Sequence, residues 1–418
     1  MRVAVIGAGI VGITTAYELT SDGHEVTVFE RGNAAAQESS FANAGVVAPG
    51  YVTPWAAPGM PLKVLTHLLQ RHAPVRLGWP SSKTQWAWMW QWWRACNTET
   101  YLTNRAHMQR LAFYSKARLL QLGQQLQLDY ERTDGMMVLL RTQKDQHLIQ
   151  PGLRLLREAN VHFQEITADQ ARHIEPALNP DTNFFGAIYL PDELIGNCRQ
   201  FALILKKHAQ HLGAVFEFNR TISRIQPGQP IKLSLSNRDE AKEFDAVVLC
   251  AGVGSRDLLL PIGLRIPLVA VHGYSITAHI REPLNAPRSA VMDERYKVAI
   301  SRMGQRVRVA GSAELGGSLK TVRASSIQTL HKVLNDWFPG AAMTSQGLQQ
   351  WKGARPMLPD GPPVLGYSGL SGLWLNLGHG SSGWALSCGS ARLLADLISE
   401  RDPAIDLEGL GVMRLQRK

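Results

Sequence analysis

The chain has 418 residues, 45% of them apolar and 19% charged, with a formal net charge of +10; that length accommodates two domains with sizeable cores. No apolar run reaches the roughly 20 residues a bilayer span requires. Four scattered cysteines (Cys96, Cys198, Cys250, Cys388) give neither a metal-ligand spacing nor a disulfide framework, and no dense Lys/Arg run marks a nucleic-acid site. The excess positive charge fits either a plain basic surface or an anionic partner such as a membrane face. The cysteine usage fits a reducing, cytoplasmic setting.

Taken in chain order, the first thirty residues carry the strongest pattern. Val3–Ile6 is a short apolar run that predicts a buried strand, and Gly7-x-Gly9-x-x-Gly12 follows at once. A helix is expected from Ile10 to about Ser21, with apolar residues at Ile10, Ile13, Ala16, Tyr17 and Leu19 and a stop at Gly23. Glu25–Glu30 then predicts a second strand. Arg2 and the apolar run could imitate a secretion signal, but no A-x-A cleavage site follows. The glycines have a physical reading. Gly7 permits the tight turn, Gly9 lets a pyrophosphate approach the backbone, and Gly12 lets the helix pack on the sheet. Ala8, Ile10 and Val11 share that turn at the positive helix N-terminus. Glu30 ends the second strand, where a carboxylate accepts from an adenosine ribose. The motif predicts a dinucleotide site without choosing between NAD and FAD.

Trp86–Trp93, "WAWMWQWW", places five of the 11 tryptophans in eight residues. On a helix Trp86, Trp90 and Trp93 share one face, and Trp88 and Trp92 lie opposite. Such a helix is too short to span a bilayer and is either core or interfacial. Lys83 and Arg94, with Arg71, His72 and Arg76 upstream, supply basic flanks. The expectation is that one tryptophan face packs on the protein and the other meets lipid or a quinone.

Further on, Phe244–Ser255 is a buried strand running into Ala251-Gly252, a second close approach of backbone to the same nucleotide. Ile266–Ile280, Tyr296–Arg302 and Arg306–Glu314 alternate as antiparallel strands, and a helix near Val322–Phe338 would cover them. Arg355 lies between Gly353 and Pro356, and its planar guanidinium suits two parallel hydrogen bonds to a carboxylate. Tyr274, Tyr51 and Tyr296 are candidates for a second hydrogen bond there, Tyr274 foremost. Leu373–Glu400 is a strand, a glycine-rich loop and a long helix, whose N-terminus suits negative charge on a reduced flavin. With only one GxGxxG in the chain, FAD is favoured over NAD. Asp360 and Glu294 are turn residues, and no residue set suggests hydrolysis or a metal site.

These blocks carry a resemblance. "VIGAGIVG", "HEVTVFER", "SSFANAGVVAPGYVTPWAAPGMPLK", "RHAP", "HGYSIT", "DERYKVAISR", "RVRVAGSAE", "GARPMLPDGPPVLG" and "LWLNLGHGSSGW" together span nearly the whole chain. The chain resembles the FAD-dependent D-amino acid dehydrogenases, within the wider group of D-amino acid, glycine and sarcosine oxidases. The resemblance implies hydride transfer from the substrate Cα to FAD and hydrolysis of the imino acid to a 2-oxo acid and ammonia. It implies electrons leaving to a quinone or respiratory-chain acceptor. The alternative within the group is a D-hydroxyproline or proline dehydrogenase, or a glycine or sarcosine oxidase. Residue by residue, it maps Gly7, Gly9, Gly12, Glu30 and Arg31 to the adenosine and pyrophosphate side. It maps Ser39, Ser40, Asn43, Ala44 and Gly45 to the loop along the flavin, Ile222 to the adenine, and Ala251 and Gly252 to the second approach loop. Gly378, His379, Gly380 and Gly383 match the C-terminal flavin loop, and Arg355 the carboxylate grip. His379 joins Arg355 and Tyr274 at the reactive end, as a flavin contact rather than a base. His272 stands where a lysine is expected. No cysteine lies in "GARPMLPDG", so non-covalent FAD is expected.

The expected architecture is a Rossmann-like α/β FAD-binding domain with an α+β, antiparallel-sheet substrate domain. The FAD domain is discontinuous, 1–50, 192–260 and 345–418, and the substrate domain takes 51–191 and 261–344. A cytoplasmic protein peripheral to the inner membrane is expected, with a D-amino acid as substrate and no nucleic acid as partner.

Overall fold

The computed structural model describes residues 1–67, 72–78, 82–236 and 240–416; Arg71, named above as a basic flank, lies outside the described residues. Two sheets organise the chain. The first runs β18-β19-β12-β1-β2-β8, with β1 Arg2–Ile6, β2 Glu25–Phe29, β8 Val215–Glu217, β12 Ala246–Leu249, β18 Val364–Tyr367 and β19 Leu373–Leu377. The second runs β17-β13-β16-β15-β14-β5-β7-β3. Its strands are β3 Val46–Val47, β5 Thr133–Leu140, β7 Gly186–Ile195, β13 Val269–His279, β14 Ala290–Asp293, β15 Val298–Met303, β16 Arg306–Leu315 and β17 Gln349–Met357. Short strands β4 Val75–Leu77 and β6 Gln164–Thr167 join its rim, and β9 Ile222–Gln226, β10 Ile231–Leu235 and β11 Lys242–Phe244 form a small antiparallel sheet.

The first sheet forms as the glycine pattern predicts. β1 is central and parallel to β2 and β12, with Val3 opposite Val26 and Ala246. Gly7 turns the chain at φ +106°, a left-handed conformation that L side chains rarely adopt. Helix α1, Ile10–Ser21, follows, and Gly23 leaves it at φ +86°. A Cβ on Gly12 would fall 1.8 Å from the Gly7 carbonyl oxygen, so only glycine lets helix and turn pack this closely. α1 is buried almost all round because α10, Gly383–Ile398, and α7, Cys198–His211, cover it. Its buried Glu18 is held by Arg118 Nε at 2.7 Å and Arg392 Nη1 at 2.7 Å, which removes the cost of an unpaired interior charge.

The second sheet is covered on one face by α9, Ala324–Trp337, whose Ile327, Leu330, Val333 and Trp337 share a core with Ile276, Ile300 and Val309. Along its other face runs a row of small or flexible side chains. Ala310 of β16 stands opposite Ala299 of β15, and Ala299 opposite Met292 of β14. That row leaves depth for a ligand above the sheet.

The chain does not divide where the sequence places its boundaries. β17 pairs with β13 from Gln349 to Met357, so this stretch belongs to the second sheet rather than to the nucleotide sheet. Helix α4, Thr98–Gln125, falls within the range 51–191 expected for the substrate half. Its Met108, Leu111, Leu119 and Leu122 instead lie in the core around α1 and α10. Burial against a distant partner decides both cases, and local periodicity does not record it.

Candidate active site

One cavity of about 1620 Å³ runs between the two sheets. A pocket for one small ligand typically holds about 300–1,000 Å³, so this space suits a dinucleotide and a second molecule together. At one end its wall is Gly7, Ala8, Gly9, Ile10, Val11, Glu30, Arg31 and Ile222. Ser39, Ser40, Asn43, Ala44, Ala251 and Gly252 line the middle stretch, followed by Gly378, His379, Gly380 and Gly383. Arg355 and the floor residues Met292, Ala299 and Ala310 also line it. Nearly all the residues expected around the cofactor therefore meet in one space.

Two do not. Gly12 contacts the Gly7 turn instead of the cavity, and Gly45 lies against Met303 and the Gly196 carbonyl. Gly45, at φ +77°, directs the chain into β3, so both glycines shape the wall from behind.

The dinucleotide end is built to accept an anion. α1 has no acidic residue in its first turn and no side-chain cap from Gly9. A Cβ built on Gly9 would meet nothing nearer than Ser40 Oγ at 3.5 Å, so the space beside it is open for a ligand. Ser40 Oγ accepts from the Ile10 N–H at 3.0 Å, tying the 39–45 loop to the helix start. Glu30 accepts from the Ala8 N–H at 2.8 Å and the Gly32 N–H at 2.7 Å. Each carboxylate oxygen keeps a further lone pair for a ribose hydroxyl. Cys250 reaches the wall at the Gly7 turn, but burial pushes its thiol up to about 12, so it stays protonated and inert. These residues fit FAD: open backbone at the pyrophosphate position, a carboxylate at the ribose position, and a second helix start at Gly383.

Arg355 dominates the far end. It stands on β17, and its Nη1 donates to the Ser312 carbonyl at 3.1 Å. The Trp55 ring lies 5.7 Å from its guanidinium carbon, and Trp55 Nε1 donates to Ser381 Oγ at 3.2 Å. Among the described residues no carboxylate pairs with Arg355. Burial alone pushes its guanidinium down to about 10, so it remains charged at neutral pH with N–H groups unspent. Gly273 makes this geometry possible, because a Cβ there would fall 2.4 Å from Arg355 Nη2. Trp55, Gly273 and Ser312 were not singled out from sequence. All three sit inside the resemblance blocks, but none has a side-chain chemistry that would single it out.

Tyr274 and His379 differ from expectation. The Tyr274 hydroxyl donates to the Glu314 carboxylate rather than offering itself to a ligand. Lys352 Nζ, at 2.8 Å, and Arg323 hold the same carboxylate. Burial would raise the Glu314 pKa, but hydrogen bonds from Lys352, Tyr274 and Arg323 outweigh it and bring it down to about 2. His379 keeps its backbone in the cavity wall while its imidazole turns away to Ser390 Oγ at 3.0 Å, and burial pushes it down to about 3. Tyr274 still lines the cavity, but its hydroxyl is occupied by Glu314, as the His379 imidazole is by Ser390. Tyr296 lies away from the cavity against Arg141 and Lys332. His272, the departure from lysine, is buried with Nδ1 at the Gly316 carbonyl, 3.2 Å away.

Known structures share this architecture. Glycine oxidase from Geobacillus kaustophilus matches with a TM-score of 0.75 at 22% identity, over 99% of both chains. Iminodiacetate oxidase from Chelativorans sp. BNC1 matches at 0.73 and 21%, over 98% of both chains. L-proline dehydrogenase from P. horikoshii matches at 0.73 and 16%, over 100% of this chain and 98% of that one. At these identities the likeness establishes the fold. A family model described as FAD dependent oxidoreductase (DAO) matches residues 2–397. With that match over nearly its whole length, and a cavity of dinucleotide size between its two sheets, the chain belongs to the DAO family of FAD-dependent oxidoreductases.

Proposed function

We propose that the protein oxidises D-amino acids to 2-oxo acids and ammonia and passes the electrons to a quinone-type acceptor. The observation that carries this reading is Arg355: a half-buried cation in the cavity wall with no carboxylate partner among the described residues. A half-buried charge of this kind, at the wall of a cavity, favours a counter-ion, and a free amino acid brings one. FAD, when bound, supplies the hydride acceptor. The guanidinium grips the substrate carboxylate through two parallel hydrogen bonds and so fixes the direction of the Cα–H. The low floor of Ala299 and Ala310 leaves room for the substrate above the second sheet. His379, neutral and bound to Ser390, takes no proton from Cα, and Tyr274 is committed to Glu314. The chain therefore works by positioning, with the substrate reacting as its neutral amine. The amine loses a hydride and a proton, and water then hydrolyses the imine. The preference for D-amino acids rests on the resemblance of the sequence blocks. The solved relatives named for glycine, iminodiacetate and L-proline supply the competing substrates.

The test is anaerobic bleaching of the yellow holoprotein by D- and L-amino acids, D-hydroxyproline, proline, glycine, sarcosine and iminodiacetate. Rapid bleaching by D-alanine and similar D-amino acids, but not by their L-forms, is the expected result. Bleaching by only a cyclic or secondary amine, or by glycine, reassigns the substrate. Turnover with a soluble quinone, with little peroxide formed in air, is expected for the acceptor, and stoichiometric peroxide refutes it.

A further inference from the structure

The tryptophan-rich helix α3, Lys83–Ala95, divides along its length. Trp88 faces inward, where it packs with Val269, Val271, Ala313 and Met357. Its Nε1 donates to the Met357 carbonyl at 3.1 Å, two residues beyond Arg355 on β17. Trp92 stacks on Trp88 with ring centroids 6.5 Å apart. Trp86, Trp90 and Trp93 stand on the opposite side and are 55%, 58% and 53% exposed. Helix α2, Met60–His67, repeats the arrangement on a smaller scale. Val64 is buried, Leu62 and Leu65 are more than half exposed, and Met60 and Lys63 reach the cavity wall. Large apolar side chains held outward on two helices need a partner surface.

The charge pattern of the same segment says which. From Ser39 to Thr98, sixty residues contain no Asp or Glu and five Lys or Arg: Lys63, Arg71, Arg76, Lys83 and Arg94. Five of the net +10 thus come from this one stretch, which also holds seven of the 11 tryptophans. α3 is 13 residues long and α2 eight, and no helix among the described residues is long and apolar enough to cross a membrane. Short helices with outward indoles and basic flanks lie flat at a headgroup layer, the indoles at its depth and the cations against its negative charge. A second copy of the chain fits less well, because self-pairing would set one acid-free basic segment against another.

We propose that the outer faces of α2 and α3 dock on an anionic lipid surface. The docking stands apart from the substrate assignment, since none of the outward residues on α3 touches the cavity. Trp88 ties α3 to the strand that carries Arg355, and Met60 and Lys63 of α2 line the cavity, so docking would bring this end of the cavity to the bilayer.

The test is flotation of the FAD-loaded full chain with vesicles of phosphatidylcholine and phosphatidylglycerol, beside vesicles of phosphatidylcholine alone, at low salt. The wild type is expected to float with the anionic vesicles. The triple variant W86A/W90A/W93A should partition about tenfold less or worse, and K83E/R94E should lose its preference for anionic lipid. Both variants should keep their flavin absorbance and dye-linked turnover, which separates lost docking from lost folding. Wild type remaining at the bottom of the gradient overturns the proposal, as does a triple variant that floats equally well. A wild-type dimer that the triple variant converts to monomer would assign the face to a second copy instead.

Discussion

Replacing Arg355 separates substrate binding from protein stability, because the structure gives the two opposite signs. A hydrogen bond to a charged group contributes about 1.5–3 kcal/mol, so losing a two-bond grip costs about 3–6 kcal/mol in transition-state binding, or about 10²- to 10⁴-fold in kcat/KM. Arg355→Met should fall in that range. Arg355→Lys keeps a point charge without the planar fork and should lose about 10- to 100-fold. Stability should move the other way. The cation is half-buried and has no carboxylate partner among the described residues, and desolvation pushes its pKa down to about 10, below the ordinary 12.5. Folding therefore works against the charged form, and Arg355→Met should melt at the same temperature as wild type or higher. A small carboxylate that binds the cavity should raise the melting temperature of wild type and leave Arg355→Met unmoved. The assays are anaerobic reduction rates across substrate concentration and thermal melts with and without that carboxylate. Unchanged kcat/KM in Arg355→Met, or equal stabilisation of both proteins by the carboxylate, would refute the assignment.

The two glycines of the first turn should fail differently. Gly12→Ala drives a Cβ into the Gly7 carbonyl and should abolish soluble folded protein. Gly9→Ala meets open space, so it should fold with a native circular-dichroism spectrum but bind FAD about tenfold or more weakly by titration. His379→Asn should leave the pH dependence of kcat between pH 6 and 9 unchanged, since this imidazole is held neutral with a pKa of about 3; loss of a pH limb in that variant would restore a catalytic role. Glu314 carries an acid-stability signature. The unfolded carboxyl takes up its proton near its ordinary value of 4.5, while the folded one refuses it down to about 2. Stability from this group is therefore full above pH 4.5 and is lost as pH falls between those values. Glu314→Gln should lower the melting temperature at pH 7 and flatten its fall between pH 4.5 and 2.

Residues that act through backbone geometry were legible from the sequence. Gly7, Gly9 and Gly12 announce a turn, and Glu30 follows a strand, so α1 begins and ends where the periodicity predicts, at Ile10 and Ser21. Arg355 was legible as a residue of the cavity wall, although the loop expected around it is strand β17. The direction in which a side chain leaves the backbone was not legible. His379 lies on the cavity loop as expected, yet its ring turns to Ser390, eleven residues on. Tyr274 lies on the expected strand, but its hydroxyl meets Glu314 from forty residues away. Domain boundaries failed for the same reason: α4 is amphipathic whichever core it enters, and only the packing of Leu111 and Leu119 beside α10 decides which.

The strand order of the nucleotide sheet also has a consequence for how the protein is made. α1 and β1 are made before the rest of this sheet, and β12 is paired with β1 only once Ala246 exists, and β19 with β12 only at Leu373. About 360 residues separate Leu19 from Gly383, where the covering helix α10 begins, so at roughly 5–20 residues per second the apolar faces of α1 wait about 20–70 s for their final cover. During that interval Ile13, Ala16 and Leu19 form a sticky surface on the nascent chain. Efficient production should therefore depend on holdase chaperones, and a chain cut short before β19 should aggregate rather than yield a smaller nucleotide-binding domain.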